Sequence, residues 1–231
     1  MKTIGLIGGM SWESSDLYYQ IINRKVQQTL GGVHSCECVM YSVDFAEIAE
    51  LQHKGQWDLL AQKMVSVAQK LELAGADIIL LCTNTMHKLA PEIEKNINVP
   101  FLHIVDATAA AIQQKGYKKL GLLATKFSME EDFLKSRYQQ KFGIETIIPD
   151  EQDRADVHRI IYEELVKGII TEQSKQRYLE IIEKLVAQGA EGIISGCTEI
   201  ELLIKPSDIS VELFQTTKIH AEKAVEMALQ M

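Results

Sequence analysis

The chain carries the same strand-and-loop pattern twice. Residues 75–85 (GADIILLCTNT) reappear as residues 189–199 (GAEGIISGCTE), an offset of 114. Residues 2–9 (KTIGLIGG) match residues 118–125 (KKLGLLAT) at an offset of 116. Two matches in the same order at nearly the same offset predict two similar lobes. An internal two-fold relation would turn the equivalent strand ends toward one another, so we expect an active site in the cleft between two pseudo-symmetric lobes.

Strand and helix patterns alternate along both halves, which predicts an α/β fold with a parallel sheet flanked by helices in each lobe. Residues 77–82 are almost entirely apolar, as is typical of a central parallel strand covered on both faces. The repeat places lobe 1 at residues 1–102 plus 207–231 and lobe 2 at residues 103–206. The C-terminal helix is expected to return to lobe 1.

Three local predictions concern secondary structure within these lobes. Residues 101–105 favour a strand, and residues 211–214 favour a last short strand in the part assigned to lobe 1. Residues 128–142 have helical spacing, and Ser128-x-x-Glu131 fits a capping box at the start of that helix.

Composition restricts the classes of protein to which the chain can belong. Its 231 residues are 46% apolar and 24% charged, which are ordinary values for a globular protein with a real core. A net charge of −8 argues against nucleic acid or an anionic membrane surface as a partner. No apolar run approaches the roughly 18 residues of a membrane span, and the N-terminal apolar run is too short for a signal peptide. We therefore expect a cytoplasmic protein.

The motifs predict neither a metal nor an organic cofactor. Cys36-Glu37-Cys38 could be half of a metal site, but no second cysteine pair and no His-x-x-x-His accompanies it. Gly8-Gly9 follows the first strand without the spacing of a nucleotide-binding loop. His87 is expected near the site because it follows a Thr-Asn-Thr segment, whereas the other five histidines are interpreted as surface or packing residues.

The carboxyl ends of the predicted strands gather the residues that could carry chemistry, because open parallel sheets bind ligands outside those ends. Cys197 stands at such an end, before Thr198 and Glu199. A thiol near a helix N-terminus is expected to have a lowered pKa, which favours a functional cysteine over a buried, inert one. The repeat aligns Cys197 with Thr83 and not with Cys82. Since side chains alternate along a strand, Cys82 is predicted to pack in the core.

At these residues the chain resembles the aspartate/glutamate racemase family. The family pattern is Cys-Asn-Thr after one strand and Gly-Cys-Thr after its mate. Here the second stands intact at residues 196–198, and the first is Thr-Asn-Thr at residues 83–85. Residues 8–14 (GGMSWES) resemble the opening motif of the aspartate racemases, with Ser15 in place of a threonine. Residues 125–128 (TKFS) are similar to the family's Thr-x-x-Thr/Ser motif.

The resemblance implies an enzyme that needs no cofactor and places one cysteine from each lobe beside the substrate's α-carbon. Cys197 corresponds to the second-lobe cysteine, which serves the L-enantiomer. Thr83 replaces the first-lobe cysteine, which serves the D-enantiomer, and its hydroxyl is far too weak an acid to act as a ready anion. The catalytic residues implied are thus Cys197 and Thr83.

The resemblance also implies a set of substrate-binding residues. Aspartate-specific members hold the distal carboxylate with an Asp-Arg pair, but residues 43–52 contain no arginine, and Gln52 is the polar group expected to point at the substrate. Lys167 could pair with the distal carboxylate, or it could be a solvated cation at a helix end. The whole implied set is Met10, Gln52, Asn84, Thr85, Thr125, Ser128, Lys167, Thr198 and Glu199.

These features predict a racemase, independent of pyridoxal phosphate, that interconverts L- and D-aspartate or glutamate by removing and returning the α-proton. The resemblance implies an amino acid as the substrate, a homodimer, and no metal. Two alternatives stay open. An isomerase or decarboxylase of a small dicarboxylic acid could use a single cysteine, and release of carbon dioxide would identify the decarboxylase. A non-catalytic amino-acid-binding protein would bind its ligand without exchange of the α-proton.

Overall fold

The computed structural model of this chain describes residues 1–230. It contains two four-stranded parallel sheets with helices between their strands. The chain divides into two units. Unit 1 contains residues 1–104 and the segment from His220 onward, and unit 2 contains residues 105–219. The predicted α/β class with two parallel sheets is confirmed.

Unit 1 has the strand order β2-β1-β3-β4, with every neighbouring pair parallel. Its strands are β1 (Ile4–Gly8), β2 (Cys38–Ser42), β3 (Ile78–Leu81) and β4 (Phe101–Leu102). Its complete α-helices are α1 (Trp12–Leu30), α2 (Phe45–His53), α3 (Trp57–Leu73) and α4 (Ala90–Lys95), and a 3-10 helix covers Thr85–Leu89.

Unit 2 has the equivalent order β6-β5-β7-β8, also parallel throughout. Its strands are β5 (Lys119–Leu123), β6 (Glu145–Ile147), β7 (Gly192–Ser195) and β8 (Glu212–Gln215). The helices that lie wholly or partly in unit 2 are α5 (Ile104–Gln114), α6 (Lys126–Glu130), α7 (Asp132–Phe142), α8 (Glu151–Glu163), α9 (Glu172–Ala187), α10 (Ile200–Leu203) and α11 (Thr216–Leu229). Two 3-10 helices cover Leu165–Lys167 and Pro206–Asp208.

The two central strands of unit 1 are buried over their whole length. All five residues of β1 and all four of β3 are buried, as expected for strands of a parallel sheet covered on both faces. Helix α3 packs against the sheet through side chains spaced three or four residues apart, including Leu60, Met64 and Leu71. Burying each such side chain contributes roughly 1.5–3 kcal/mol, which fixes the sheet that carries the loops of this unit.

The structure shortens the strand predicted over residues 101–105. Strand β4 ends at Leu102, and α5 begins at Ile104, where the sequence prediction had no helix. The Ile104 amide N–H, in the first turn of α5, donates to the His87 ring at 3.1 Å. A helix start leaves its first N–H groups without intrahelical partners, so this contact allows the helix to begin in a buried position.

The helix predicted over residues 128–142 is two helices, and the predicted capping box does not form. Glu131 has extended backbone angles between α6 and α7 and is the N-cap residue of α7. The Lys135 ammonium donates to the carbonyl oxygen of Glu130 at 3.3 Å and so satisfies a group at the end of α6.

The last strand belongs to unit 2, which differs from the predicted border at residue 206. Strand β8 pairs with β7 from Gly192–Glu212 through Ser195–Gln215. The hydroxyl of Thr216 also donates to the Ser195 carbonyl at 2.8 Å. Helix α11 begins in unit 2 and continues into unit 1, where the Lys2 amide donates to the Ala228 carbonyl at 2.9 Å. Among residues 1–230, no helix combines the length and apolarity needed to cross a membrane.

Candidate functional site

In unit 1, the loops after β1 and β3 leave neighbouring strands at the same edge of the sheet. Strand β1 pairs with β3 up to Ile7–Leu81, and the Cys82 amide donates to the Ile7 carbonyl at 2.9 Å. The start of α1 holds both loops: the Ser14 hydroxyl donates to the Cys82 carbonyl at 3.0 Å, and the Ser15 hydroxyl accepts from the Gly9 amide at 2.7 Å.

Gly9 has a backbone conformation that requires glycine. Its φ is +91°, and a Cβ atom there would lie 2.2 Å from the Val43 carbonyl oxygen. The absence of a side chain lets the loop after β1 approach the end of β2 closely. Met10, the next residue and a predicted substrate-binding residue, is only 6% exposed and belongs to the apolar core of the unit.

Cys82 and Thr83 have the different environments that the strand register predicts. Cys82 is completely buried, and burial raises the pKa of its thiol far above the usual range. Thr83, the aligned partner of Cys197, is half-buried. Cys82 is thus an inert core thiol.

The other predicted binding residues of unit 1 lie on or beside the same loop. Asn84 is buried and Thr85, which begins the 3-10 helix, is half-buried. Gln52, near the end of α2, is 7% exposed, and its amide nitrogen donates to the Met86 sulfur at 3.0 Å. The structure therefore places Gln52 against Met86, the residue after Thr85.

In unit 2, the equivalent loops follow β5 and β7. Strand β5 pairs with β7 up to Leu123–Ser195, and the Gly196 amide donates to the Leu123 carbonyl at 2.8 Å. A Cβ atom on Gly196 would lie 2.8 Å from the Cβ of Ala124, so the glycine allows the two loops to approach. After β5, the Thr125 hydroxyl donates to the Ser128 hydroxyl at 3.3 Å, and both residues are buried.

In the loop after β7, the Glu199 carboxylate accepts a hydrogen bond from the Cys197 thiol. The Cys197 Sγ donates to Glu199 Oε2 at 2.8 Å, and the Thr198 hydroxyl donates to the same oxygen at 2.7 Å. All three residues are half-buried. Three predicted site residues therefore share one hydrogen-bonded group.

The expectation of a lowered pKa for Cys197 is wrong. Burial raises the pKa of the thiol well above its usual value, and the negative charge of Glu199 and the hydrogen bond to its carboxylate raise it further. The helix that follows, α10, is four residues long, so it offers only a short run of aligned peptide dipoles. Burial and the neighbouring carboxylate outweigh the effect of these dipoles, so the resting thiol is neutral.

Three further ionisable groups, which no sequence motif predicts, interact with Cys197 or Glu199. Burial raises the pKa of the phenols of Tyr162 on α8 and Tyr178 on α9. A negative charge on Glu199, or on Cys197 once its thiol has ionised, raises both pKa values further. Glu201 is 8% exposed, and burial raises its pKa to about 8. No hydrogen-bond partner of Glu201 Oε1 is present within residues 1–230. None of these positions is marked by a local motif.

Lys167 lies at the surface beside this loop. It ends the 3-10 helix Leu165–Lys167, which contacts α10, the helix directly after Glu199. Its side chain is exposed, and within the described residues it makes neither a hydrogen bond nor an ion pair. The described part of the chain also contains no group of three His, Cys, Asp or Glu side chains arranged to hold a metal ion.

Known proteins resemble this chain over nearly its full length. The sequence model described as Asp/Glu/Hydantoin racemase matches residues 7–224. The broad specificity amino-acid racemase RacX of Bacillus subtilis (strain 168) is 26% identical over 235 residues, and the match covers 98% of both proteins. A solved structure from Yersinia pestis, assigned as an Asp/Glu racemase, is 54% identical with a TM-score of 0.95. That of PH1733, an aspartate racemase homologue from Pyrococcus horikoshii OT3, is 35% identical with a TM-score of 0.87; each of these two matches covers 100% of both chains.

Proposed function

Because this chain belongs to the Asp/Glu/hydantoin racemase family, whose members are isomerases, we propose that it is a cofactor-independent racemase that interconverts L- and D-aspartate or glutamate. Cys197 is the principal acid/base. Thr83, or a water that it holds, exchanges the proton on the second face of the α-carbon. The observation that carries the proposal is the hydrogen bond from the Cys197 thiol to Glu199, because it joins a candidate base to an acceptor for its proton.

Cys197 must lose its own proton before it can take one from the substrate. Glu199 Oε2, at 2.8 Å from Sγ, accepts that proton as the substrate's ammonium group arrives and stabilises the thiolate. The S–H bond breaks as an O–H bond forms on Glu199. The thiolate then forms a new S–H bond with the α-proton, and the electron pair of the broken C–H bond stays on the α-carbon. Thr83, or the water that it holds, gives a proton to the opposite face of the α-carbon, and the new C–H bond uses the electron pair left there. The resulting alkoxide or hydroxide takes a proton from solvent, and Glu199 releases to solvent the proton that it had accepted.

The substrate's α-carboxylate must be held by donors that stabilise the developing carbanion. The proposal assigns this to Asn84, Thr85 and Thr198 and includes Thr125 and Ser128 among the substrate-binding residues. The burial of Asn84 and Thr125 supports the assignment, because donors shielded from water act more strongly on a developing charge. Removal of one such donor costs about 10²–10³-fold in kcat in well-studied enzymes.

The distal end of the substrate would be recognised by Gln52 and Lys167. Gln52 is buried and already bonded to Met86, so it offers a fixed polar group, whereas Lys167 is exposed and makes no ion pair within residues 1–230. A buried amide and an exposed ammonium discriminate weakly between side chains compared with a bidentate guanidinium. We therefore include neutral amino acids among the substrates to be tested.

The experiment is proton NMR of both enantiomers of each amino acid in D₂O with the enzyme. The proposal expects deuterium at Cα with wild type and none with Cys197→Ser. Cys82→Ala is the matched control, because it removes a buried thiol from the equivalent strand end and should retain most of the turnover. Release of carbon dioxide from malonate-type acids, or ligand binding without any exchange, would instead support the decarboxylase or the binding protein.

A further inference from the structure

Three buried histidines of unit 1 pack their rings together. His87, His103 and His220 are 2%, 3% and 0% exposed. The His87 ring centre lies 4.6 Å from that of His103 and 5.8 Å from that of His220. The three residues come from separate stretches of sequence, so no local motif predicts their meeting. Buried imidazoles must have hydrogen-bond partners for their ring nitrogens, and these partners define what each ring does.

His220 joins elements of the core. Its Nε2 lies 2.8 Å from the Leu102 carbonyl oxygen, which can only accept, so Nε2 carries the hydrogen. Its Nδ1 then accepts from the Tyr18 hydroxyl at 2.8 Å. These contacts connect α1, α11 and the end of β4.

His87 has the opposite tautomer. Its Nδ1 lies 2.7 Å from the Thr83 carbonyl oxygen, so Nδ1 carries the hydrogen and donates. Its Nε2 accepts from the Ile104 amide N–H at 3.1 Å. The ring is thus neutral, has both nitrogens bonded, and connects the loop after β3 to the first turn of α5.

We propose that His87 is a positioning residue for Thr83 and Asn84, an inference that rests on the function proposed above. A peptide unit is planar, so the bond to the Thr83 carbonyl also fixes the direction of the Asn84 amide, which points the opposite way. It fixes the backbone from which the Thr83 hydroxyl projects as well. The Ile104 amide N–H holds the other side of the ring, so the position of the ring does not depend on the loop alone. A misplacement of about 1 Å in a reacting group can cost on the order of 10²-fold in rate.

Two substitutions separate the two hydrogen bonds of His87. The amide nitrogen of an asparagine can replace Nδ1, and the chain itself shows this geometry, since Asn23 and Asn96 donate at 2.7 Å to the carbonyl four residues earlier. His87→Asn therefore keeps the bond to Thr83 and loses the one to Ile104. His87→Gln places its oxygen near the position of Nε2, so it keeps the bond to Ile104 and loses the one to Thr83.

We expect His87→Gln to lower kcat for α-proton exchange by about tenfold or more with KM changed less than about threefold, and His87→Asn to stay within about threefold of wild type. Each variant loses one hydrogen bond, so their melting temperatures should fall by similar amounts. His53→Gln is the matched control, because exposed His53 makes the same contact with the Ala49 carbonyl at 2.6 Å, and it should leave kcat unchanged.

Nitrogen-15 NMR of wild type should show the Nδ1–H tautomer for His87 and the Nε2–H tautomer for His220. Equal losses of kcat in the two variants, or an Nε2–H tautomer at His87, would overturn the positioning role. If wild type shows no exchange at all, the proposed racemase function fails by itself. The backbone amide signals of residues 83–85 then decide the role of His87: displacement in His87→Gln alone supports it, and equal displacement in both variants overturns it.

Discussion

The thiol of Cys197 lies 2.8 Å from a carboxylate oxygen of Glu199, two residues further along the chain. The same oxygen accepts from the Thr198 hydroxyl at 2.7 Å. This short turn between β7 and α10 gives the thiol a hydrogen-bond acceptor, and burial together with the charge of Glu199 raises the pKa of the thiol. Without a bound substrate, the thiol of Cys197 is therefore neutral. In the proposed reaction, the thiolate forms only when a cationic ammonium group is present to stabilise it.

The first prediction concerns the charge of Glu199. Glu199→Gln removes a negative charge next to the thiol, so the pKa of Cys197 falls and more thiolate is present at a given pH. Alkylation of Cys197 by iodoacetamide near pH 8, followed by mass spectrometry of the modified peptide, should become faster than in wild type. Exchange of the α-proton should become slower, by about 10²-fold or more, because the proton acceptor is lost.

Glu183→Gln serves as the control, because it removes the same charge from an exposed position on α9. It should change neither the rate of Cys197 alkylation nor the rate of α-proton exchange. If Glu199→Gln exchanges the α-proton as fast as wild type, Glu199 does not accept the thiol proton.

The second prediction concerns the pH dependence of stability. Burial raises the pKa of Glu201 from 4.5 to about 8, so the folded protein binds a proton that the unfolded chain has released in this range. The contribution of Glu201 to the free energy of unfolding should therefore fall as pH rises from about 4.5 to about 8, by an amount on the order of a few kcal/mol. The charged groups that act on Glu201 are Lys205, Lys218 and Glu199.

Glu201→Gln removes this titration while it keeps the shape of the side chain. Urea unfolding at several pH values should show a variant that gains stability relative to wild type as pH rises, with the gain levelling off above about pH 8. A difference that is the same at pH 5 and pH 8 would mean that Glu201 has an ordinary pKa in the folded protein.

The third prediction concerns the two enantiomers. In the proposed reaction Cys197 serves the L-enantiomer, and Thr83 provides only a hydroxyl for the D-enantiomer. Initial exchange in D₂O should therefore be fast for L-aspartate or L-glutamate and slow for the D forms. The asymmetry is kinetic, because a catalyst cannot change the equilibrium between mirror images.

Thr83→Cys should raise the rate for the D-enantiomer, since a thiol is an acid of more suitable pKa than a hydroxyl. The measurement is the initial exchange rate of each enantiomer with wild type and with the variant. Equal rates for both enantiomers with wild type, or no gain for the D form with the variant, would remove Thr83 from the second face.

The fourth prediction concerns metals and cofactors. Dialysis against EDTA, and treatment with hydroxylamine to remove any pyridoxal phosphate, should leave the exchange rate unchanged, because the proposed reaction uses only side chains of this chain. A Cys197→Ser sample carried through the same treatments gives the background rate. A large loss of wild-type activity in either treatment would contradict the proposal.

The amino-acid sequence alone predicts the two sheets and the equivalent strand ends. Apolar runs such as residues 77–82 are local signals, and the offset of 114 between the repeats aligns Cys197 with Thr83 before any contact is known. The burial of Cys82 follows from the same register, since neighbouring side chains of a strand point to opposite faces.

Only the tertiary structure decided the features that depend on contacts between distant residues. The sheet to which β8 belongs was settled by its pairing with β7, which no local pattern encodes. The pKa values of Cys197 and Glu201 depend on how much water the surrounding elements exclude and on which charges they bring near. The tautomer of His87 depends on Thr83 and Ile104, which approach the ring from different segments of the fold. Burial and charge are properties of the whole three-dimensional environment, and they determine the chemistry of side chains whose positions the sequence already predicts.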